Sequence, residues 1–224
     1  MARARPAWLP PLWVLGYYGL LLGALLGFGG LARTVHAEGG FALDRAVLEA
    51  LDASATPALS RVAALLDLLG IWYALGALVL VVAVGCWRTS RASSLFVLLA
   101  FWGATGLNLL GKGYFERQRP ALFEPLVAAT SFSFPSGHAM GSWAFALAIA
   151  FVSARHRPRL APFAASALLA FALLVGWSRM YLQVHYPSDV LAAWALSSAW
   201  VLGLGGWYTR RRGRSRRAEP RRGS

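Results

Sequence analysis

Long apolar runs, separated by short polar segments, make up most of this chain. Six of the runs are close to or above the roughly 20 residues that an α-helix needs to cross a bilayer. We predict spans at residues 12–32, 59–86, 94–111, 136–154, 160–178 and 189–208. The pattern therefore predicts an all-α, polytopic membrane protein, built as a bundle of six transmembrane helices without a folded domain outside the membrane.

Residues 41–52, between the first two spans, place apolar side chains at a helical period. Aliphatic residues share one face and acidic residues avoid it: Leu43, Val47, Leu48 and Leu51 against Asp44, Glu49 and Asp52. This pattern predicts an amphipathic helix lying on the outer surface of the membrane. We interpret it as a connecting helix that covers apolar surface, with a lid beside a lipid entry route as the alternative.

Composition agrees with a membrane location. Charged residues make up 14% of the chain, whereas a soluble domain carries about 25%. The single cysteine, Cys86, excludes an internal disulfide and a metal site built from several cysteines. We divide the chain into one membrane domain, residues 1–209, and an Arg-rich tail, residues 210–224, that we expect to be disordered. The tail is typical of contact with anionic lipid heads, and we expect no nucleic-acid partner.

Charge divides the connecting segments into two groups. The basic group consists of two short connections with the arginines Arg88, Arg91, Arg155, Arg157 and Arg159. Most of the acidic residues lie in the other group, residues 33–58, 112–135 and 179–188. Because cytoplasmic loops are enriched in Arg and Lys, we expect both termini in the cytoplasm. The second group then faces the periplasm or extracellular space, across the plasma (inner) membrane.

The first apolar run also resembles a secretory signal peptide. Arg3 and Arg5 precede it, and Val35-His36-Ala37 resembles a cleavage site of small residues. However, its apolar part spans about 20 residues, which exceeds the usual core of such a peptide. We expect an uncleaved anchor, although the sequence leaves cleavage open.

Three polar clusters lie in the acidic group of segments. They read Lys112-x6-Arg119-Pro120, then Ser133-Phe-Pro135-Ser136-Gly137-His138, and finally Ser178-Arg179-x5-His185-x3-Asp189. Lys112 is the only lysine, while the other 21 residues of the Lys and Arg total are arginines. A single lysine against that bias indicates a site that requires a compact ammonium rather than a planar guanidinium. The clusters would therefore meet at an outward-facing site that suits a phosphate group.

The two histidines suit two different steps of phosphate chemistry. Asp189 follows His185 by four residues, so it could orient the imidazole and leave one nitrogen free as a nucleophile; a structural hydrogen bond is the alternative. Ser136 and Gly137 precede His138 where a helix begins, and helix N-termini bind anions. His138 could then protonate a leaving oxygen, or be only an interfacial histidine.

Three cations complete the candidate site. Lys112, Arg119 and Arg179 suit the three equatorial oxygens of a transferring phosphoryl group. The alternative is that these side chains only extend to the membrane interface, and this is our interpretation of Arg117. We treat Arg117 and Gln118 as spacers within the first cluster. The cations would repel a dication, so we expect no metal. We interpret Asp67 as a helix–helix hydrogen-bonding group and assign no role to the loop residues His36 and His156.

Order, spacing and residue types of the three clusters resemble the signature of the type-2 phosphatidic acid phosphatases, a family that also includes soluble vanadium haloperoxidases. The resemblance covers roughly residues 105–205 by motif and the whole chain by its six-helix layout. It implies that His185 attacks phosphorus to form a phosphohistidine, that Asp189 orients His185, and that His138 protonates the departing oxygen. It further implies that the phosphoryl oxygens are held by Lys112, Arg119, Ser136, the Gly137 amide and Arg179, without a metal or cofactor.

The expected function is metal-independent hydrolysis of a phosphomonoester or pyrophosphate on a membrane lipid. Candidate substrates are undecaprenyl pyrophosphate, phosphatidylglycerophosphate and phosphatidic acid, because the signature recognises phosphate rather than the lipid. One alternative is a lipid phosphotransferase that uses the same phosphohistidine. Another is a non-catalytic protein that binds or flips lipid phosphates. The lipid substrate and the bilayer are the expected partners, and the sequence leaves the oligomeric state open.

Overall fold

The computed structural model describes residues 11–217 of the chain, with side chains up to Thr209. All regular elements in this part are helical, which confirms the all-α prediction. The helices are α1 (Leu12–Glu38), α2 (Ala42–Ala53), α3 (Pro57–Gly70), α4 (Trp72–Trp87), α5 (Arg91–Phe115), α6 (Gly137–His156), α7 (Ala161–Tyr181) and α8 (Pro187–Arg217).

Five of the described helices, α1, α5, α6, α7 and α8, are long and apolar enough to cross a membrane. The remaining predicted span, residues 59–86, is not one helix. It consists of α3 and α4, which meet at a bend of 50° and are long and apolar enough for a sixth span only when they are taken together. The six-helix bundle is therefore confirmed, whereas the continuous second span is wrong.

The break in the second span lies at Gly70 and Ile71. Ile71 has extended backbone angles, φ −67° and ψ 143°, which end α3 and begin α4. Gly70 lies close to α7, where an added Cβ would lie 2.7 Å from Cγ1 of Val175. Only a glycine permits this approach, so the last turn of α3 packs tightly against α7.

The helix α6 forms the centre of the bundle and packs against α5, α7 and α8. Its buried face carries small residues, with Ala139, Ala144 and Ala148 fully buried. Small residues allow close helix approach where lipid supplies no hydrophobic driving force. In contrast, α1 packs along α8 and turns many leucines outwards, as a helix facing lipid would.

The two groups of connecting segments lie at opposite ends of the bundle. At the Arg-rich end, Oγ of Ser93 lies 2.8 Å from Nε2 of His156 and 2.7 Å from the Tyr208 hydroxyl. His156 thus joins α6 to α5, a structural role that the sequence did not indicate. Beyond Thr209, α8 continues to Arg217, so residues 210–217 are helical where we expected a disordered tail. Residues 218–224 lie outside the described part.

The predicted amphipathic helix is α2, and it packs against α7 and α8. Leu48 is fully buried, as expected, and its carbonyl accepts a hydrogen bond of 3.2 Å from Nε2 of Gln183. The expectation that Asp44 faces away from the buried side is wrong, because only 4% of this residue is exposed. A buried arginine provides the reason, and it belongs to the site described next.

Candidate active site

The three polar clusters converge at one end of the bundle, around a cavity of about 730 Å3. The first cluster comes from the end of α5 and the loop after it, and the second from the end of that loop and the first turn of α6. The third comes from the end of α7, the α7–α8 connection and the first turn of α8. Six of the eight predicted site residues line the cavity: Lys112, Arg119, Gly137, His138, Arg179 and His185. The other two, Ser136 and Asp189, are fully buried and are not among the residues that line the cavity.

His185 and Asp189 form a buried pair at the start of α8. The helix begins at Pro187, so Asp189 lies in its first turn and Oδ2 accepts a hydrogen bond of 2.8 Å from the Tyr186 amide. The same oxygen lies 3.3 Å from Nδ1 of His185 and accepts a hydrogen bond from the Ser133 hydroxyl. Asp189 therefore fixes the ring from one side.

The opposite ring nitrogen of His185 faces a cation. Nε2 lies 3.3 Å from a terminal nitrogen of Arg119, and a guanidinium can only donate. Nε2 is therefore the acceptor, and the ring proton belongs on Nδ1, beside Asp189. Burial lowers the pKa of His185 to about 3, against the opposing effect of Asp189, so the imidazole is neutral at physiological pH.

Backbone carbonyls hold two of the cations at the cavity. Nζ of Lys112 donates to the Phe132 carbonyl and, at 3.2 Å, to the Ser131 hydroxyl. Arg119 donates to the carbonyls of Ser131 and Val184, both at 2.7 Å. Burial lowers the pKa of Arg119 and Asp189 opposes this. The loop thus fixes both cations with neutral partners, which leaves their charge for an anion.

The start of α6 brings buried polar groups to the same place. The amide of Ser136 donates to the Asp189 carbonyl at 3.1 Å, while its buried hydroxyl has no hydrogen-bond partner within the described chain. Gly137 lies against Asn108, where an added Cβ would lie 3.1 Å from Oδ1. Asn108 in turn donates to the Pro135 carbonyl at 2.9 Å, so α5 fixes the turn that begins α6.

The remaining histidine and arginine share a carboxylate from α3. Oδ1 of Asp67 lies 3.2 Å from Nε2 of His138, and it forms an ion pair with Arg179. Asp67 therefore joins α3 to α6 and α7, as a helix–helix residue would. The sequence did not indicate that Asp67 contacts two of the predicted site residues.

Arg117 is the main residue that we misinterpreted. Instead of reaching for the membrane interface, it is 8% exposed, and one terminal nitrogen lies 2.6 Å from Asp189 and 2.8 Å from the Ser188 hydroxyl. The other donates to Asp44 at 2.9 Å, and the guanidinium lies 4.0 Å from the ring centroid of Tyr186. Spacing alone could not reveal this, since Arg117 lies between two cations of the first cluster.

One side of the cavity is largely apolar. Its walls include Ile71, Trp72, Phe101, Trp102 and Leu109, which come from the α3–α4 break, α4 and α5. Trp72 is 59% exposed and Leu109 is 66% exposed. The cavity thus combines a cationic end with an apolar side that opens to the surroundings between α4 and α5. Within residues 11–217, the structure contains no group of three His, Cys, Asp or Glu residues that could hold a metal.

Comparison with known proteins identifies the family of this chain. The model of the PAP2 superfamily matches residues 91–213. The chain belongs to the PAP2 superfamily. The matched region contains all eight predicted site residues and Arg117, whereas Asp44 and Asp67 precede it.

Similar proteins agree with this membership. Phosphatidylglycerophosphatase B from Bacillus subtilis is 34% identical over 170 residues, which cover 74% of this chain and 83% of that protein. Undecaprenyl-diphosphatase from Sulfolobus acidocaldarius is 29% identical over 138 residues, which cover 58% of this chain and 60% of that protein. Together, family and relatives support a lipid phosphatase.

A solved structure shares the fold. The transmembrane PAP2 type phosphatidylglycerolphosphate phosphatase from Bacillus subtilis superimposes with a TM-score of 0.77 at 31% identity. The match covers 85% of this chain and 96% of that one. The α-helical membrane bundle described above is therefore the architecture of a known PAP2 phosphatase.

Proposed function

We propose that this PAP2 protein hydrolyses a phosphate or diphosphate ester of a membrane lipid, without a metal, through a phosphohistidine on His185. The observation that carries the proposal is the orientation of His185. Asp189 lies at Nδ1, and Nε2 lies beside Arg119 at the cavity. A neutral imidazole held in this way is a competent nucleophile.

In the first step, Nε2 of His185 attacks phosphorus and the bond from phosphorus to the leaving oxygen breaks. The proton of Nδ1 remains on the ring, and Asp189 stabilises the positive charge that the ring gains. Lys112, Arg119 and Arg179 offset the charge on the phosphoryl oxygens, with Ser136 and the Gly137 amide at the N-terminus of α6.

His138 completes this step by giving its proton to the departing oxygen, which leaves as an alcohol or as a lipid monophosphate. In the second step, His138 takes a proton from water, and the oxygen of that water attacks phosphorus. The nitrogen–phosphorus bond breaks, inorganic phosphate leaves, and both histidines return to their starting protonation states.

The apolar side of the cavity supports a lipid as the group that carries the phosphate. A phosphate at the cationic end would place its lipid chain beside Trp72 and Leu109, whose exposed side chains border the opening between α4 and α5. The relatives are named for phosphatidylglycerophosphate and undecaprenyl diphosphate, and we propose a substrate of this class, with phosphatidic acid as a third candidate.

We further propose that the site faces the periplasm or extracellular space of the plasma (inner) membrane, with both termini in the cytoplasm. The separation of charge supports this orientation, because the Arg-rich connections lie at the end opposite the cavity. Cytoplasmic loops carry the excess of arginine in membrane proteins.

The decisive assay measures phosphate release by the purified protein from phosphatidylglycerophosphate, undecaprenyl diphosphate and phosphatidic acid, with EDTA present. We expect release from at least one lipid, and none from a His185→Ala variant. Phosphate that appears on an added acceptor lipid or sugar, rather than as inorganic phosphate, would indicate a phosphotransferase. Binding of all three lipids without turnover would contradict catalysis and favour a binding or flipping protein.

A further inference from the structure

We propose that Asp67 is the positioning carboxylate of His138, so that the protein contains a second aspartate–histidine pair, dedicated to the acid step. This inference rests on the proposed role of His138 in protonating the leaving oxygen. Asp67 itself is not among the residues that line the cavity, whereas His138 and Arg179 are. It would therefore act on the reaction through these two side chains.

The contacts of Asp67 support this role. Oδ1 is buried and is the atom that approaches both Nε2 of His138, at 3.2 Å, and the guanidinium of Arg179. The approach to His138 has the distance of an ion pair but not the alignment of a hydrogen bond. A small rotation of the imidazole would supply that alignment when the ring carries its proton.

The fold brings α3 close to His138 in an unusual way. Gly70, one turn after Asp67, packs so closely that an added Cβ would lie 2.7 Å from Val175 and 3.5 Å from the His138 ring. Directly after it the chain bends by 50° into α4. The broken span thus directs the end of α3 towards α6 and α7, where Asp67 reaches its partners.

The charges around His138 explain why it needs a carboxylate. Three cations from three elements line the same cavity as His138: Lys112 of α5, Arg119 of the following loop and Arg179 of α7. α4 carries no Asp, Glu, Lys, Arg or His, and Asp189 of α8 is held by His185, Ser133 and Arg117. Asp67 is the carboxylate that directly offsets these cations at His138. A charge of this sign stabilises the imidazolium that the acid step requires.

The test separates the acid step from binding by changing the leaving group. Asp67→Asn keeps the shape of the side chain and removes its charge. For an alkyl phosphate such as phosphatidic acid, we expect kcat to fall about 10- to 100-fold, part of the roughly 10²–10⁴-fold that a general acid contributes. For an aryl phosphate, whose leaving group needs little protonation, we expect less than about a threefold loss.

The pH profile gives a readout that a merely structural role would not change. With phosphatidic acid, Asp67→Asn should move the alkaline limb of kcat to lower pH, while Asp67→Glu, which keeps the charge, should restore it towards the wild-type position. The matched control is Asp52→Asn, the same change at an exposed position of α2, which should leave both the rate and the limb unchanged.

Two outcomes would overturn the inference. One is that Asp67→Asn lowers kcat equally for the alkyl and the aryl phosphate and leaves the alkaline limb unmoved. The other is that Asp67→Asn has the wild-type rate with both substrates. If Asp67→Asn folds poorly, rates are compared per folded molecule, and the same substitution is also made in a His138→Ala background, where it should cost no further activity per folded molecule towards the alkyl substrate. Leaving-group dependence in His138→Ala but not in Asp67→Asn would refute this inference alone. If neither variant shows a dependence on the leaving group, the proposed function of His138 is refuted.

Discussion

The carboxylate of Asp44 lies 2.9 Å from the guanidinium of Arg117, and both side chains are buried. The two residues are 73 positions apart in the chain. Ser188 strengthens the contact, because its hydroxyl and its amide donate to the two oxygens of Asp44, at 2.6 Å and 2.9 Å. Since Arg117 also holds Asp189, the amphipathic helix α2 is tied to the residue that orients the proposed nucleophile.

We expect Arg117→Ala to destabilise the protein and to reduce its activity strongly. Removal of one member of a buried ion pair costs about 3–5 kcal/mol, because the partner charge is left uncompensated. Here two carboxylates, Asp44 and Asp189, would lose their partner. Thermal unfolding in detergent and phosphate release measure the two effects. The control is Arg45→Ala, which breaks the exposed pair with Glu49 and should cost no more than about 1 kcal/mol. Equal effects of the two variants would contradict a special role for Arg117.

Lys112→Arg tests whether the single lysine is required by the site. Nζ of Lys112 reaches the Phe132 carbonyl in a confined place at the cavity, and a guanidinium is wider and planar. We therefore expect a clear loss of phosphate release with unchanged folding, measured by the unfolding temperature. Arg159→Lys, an exchange of the same two residue types at an exposed position, should have no effect. Wild-type rates in Lys112→Arg would mean that only the positive charge is needed.

The burial of His185 predicts how stability depends on pH. Its pKa in the folded state, about 3, lies below the ordinary value near 6.5, so folding favours the neutral ring. The neutral ring therefore costs no folding stability above about pH 6.5. As the pH falls from there towards 3, the free energy of unfolding decreases, because the unfolded chain takes up the proton first. His185→Asn removes the titrating group, so its unfolding temperature should fall less than that of the wild type between pH 6.5 and 4.5. Parallel curves would contradict a neutral, buried His185.

Labelling from one side of the membrane tests the orientation. In a Cys86→Ser background, a thiol reagent that cannot cross membranes should label a cysteine introduced at Ala121 in intact cells. It should not label one introduced at Ser90, which lies in an Arg-rich connection at the opposite end. The reverse pattern would place the cavity in the cytoplasm.

The sequence predicted the overall bundle well, because the bilayer imposes long apolar runs that can be read directly. The break between α3 and α4 could not be read in this way. Residues 59–86 remain apolar through the bend, and no proline marks it. The bend depends on the close approach of Gly70 to Val175, a contact between distant parts of the chain.

The residues of the site were predicted where they belong to compact motifs, and were missed where their partners are distant. The three clusters meet at one cavity, as their spacing indicated. Asp44, Asp67 and Arg117 gave no such signal, because each looks like an ordinary polar residue until its partner is known. A periodic pattern shows which face of a helix is apolar, but not that a buried arginine draws Asp44 into that face.

Trapping the proposed covalent intermediate on His185 tests the mechanism. In a His138→Ala variant, an aryl phosphate should still phosphorylate the enzyme, since its leaving group needs little protonation, while the attack by water slows without its base. Rapid quenching in alkali followed by mass spectrometry should then locate a phosphoryl group on His185. No phosphorylation should occur in the His138→Ala, His185→Ala double variant. A phosphoryl group on another residue, or phosphorylation that persists without His185, would rule out His185 as the nucleophile.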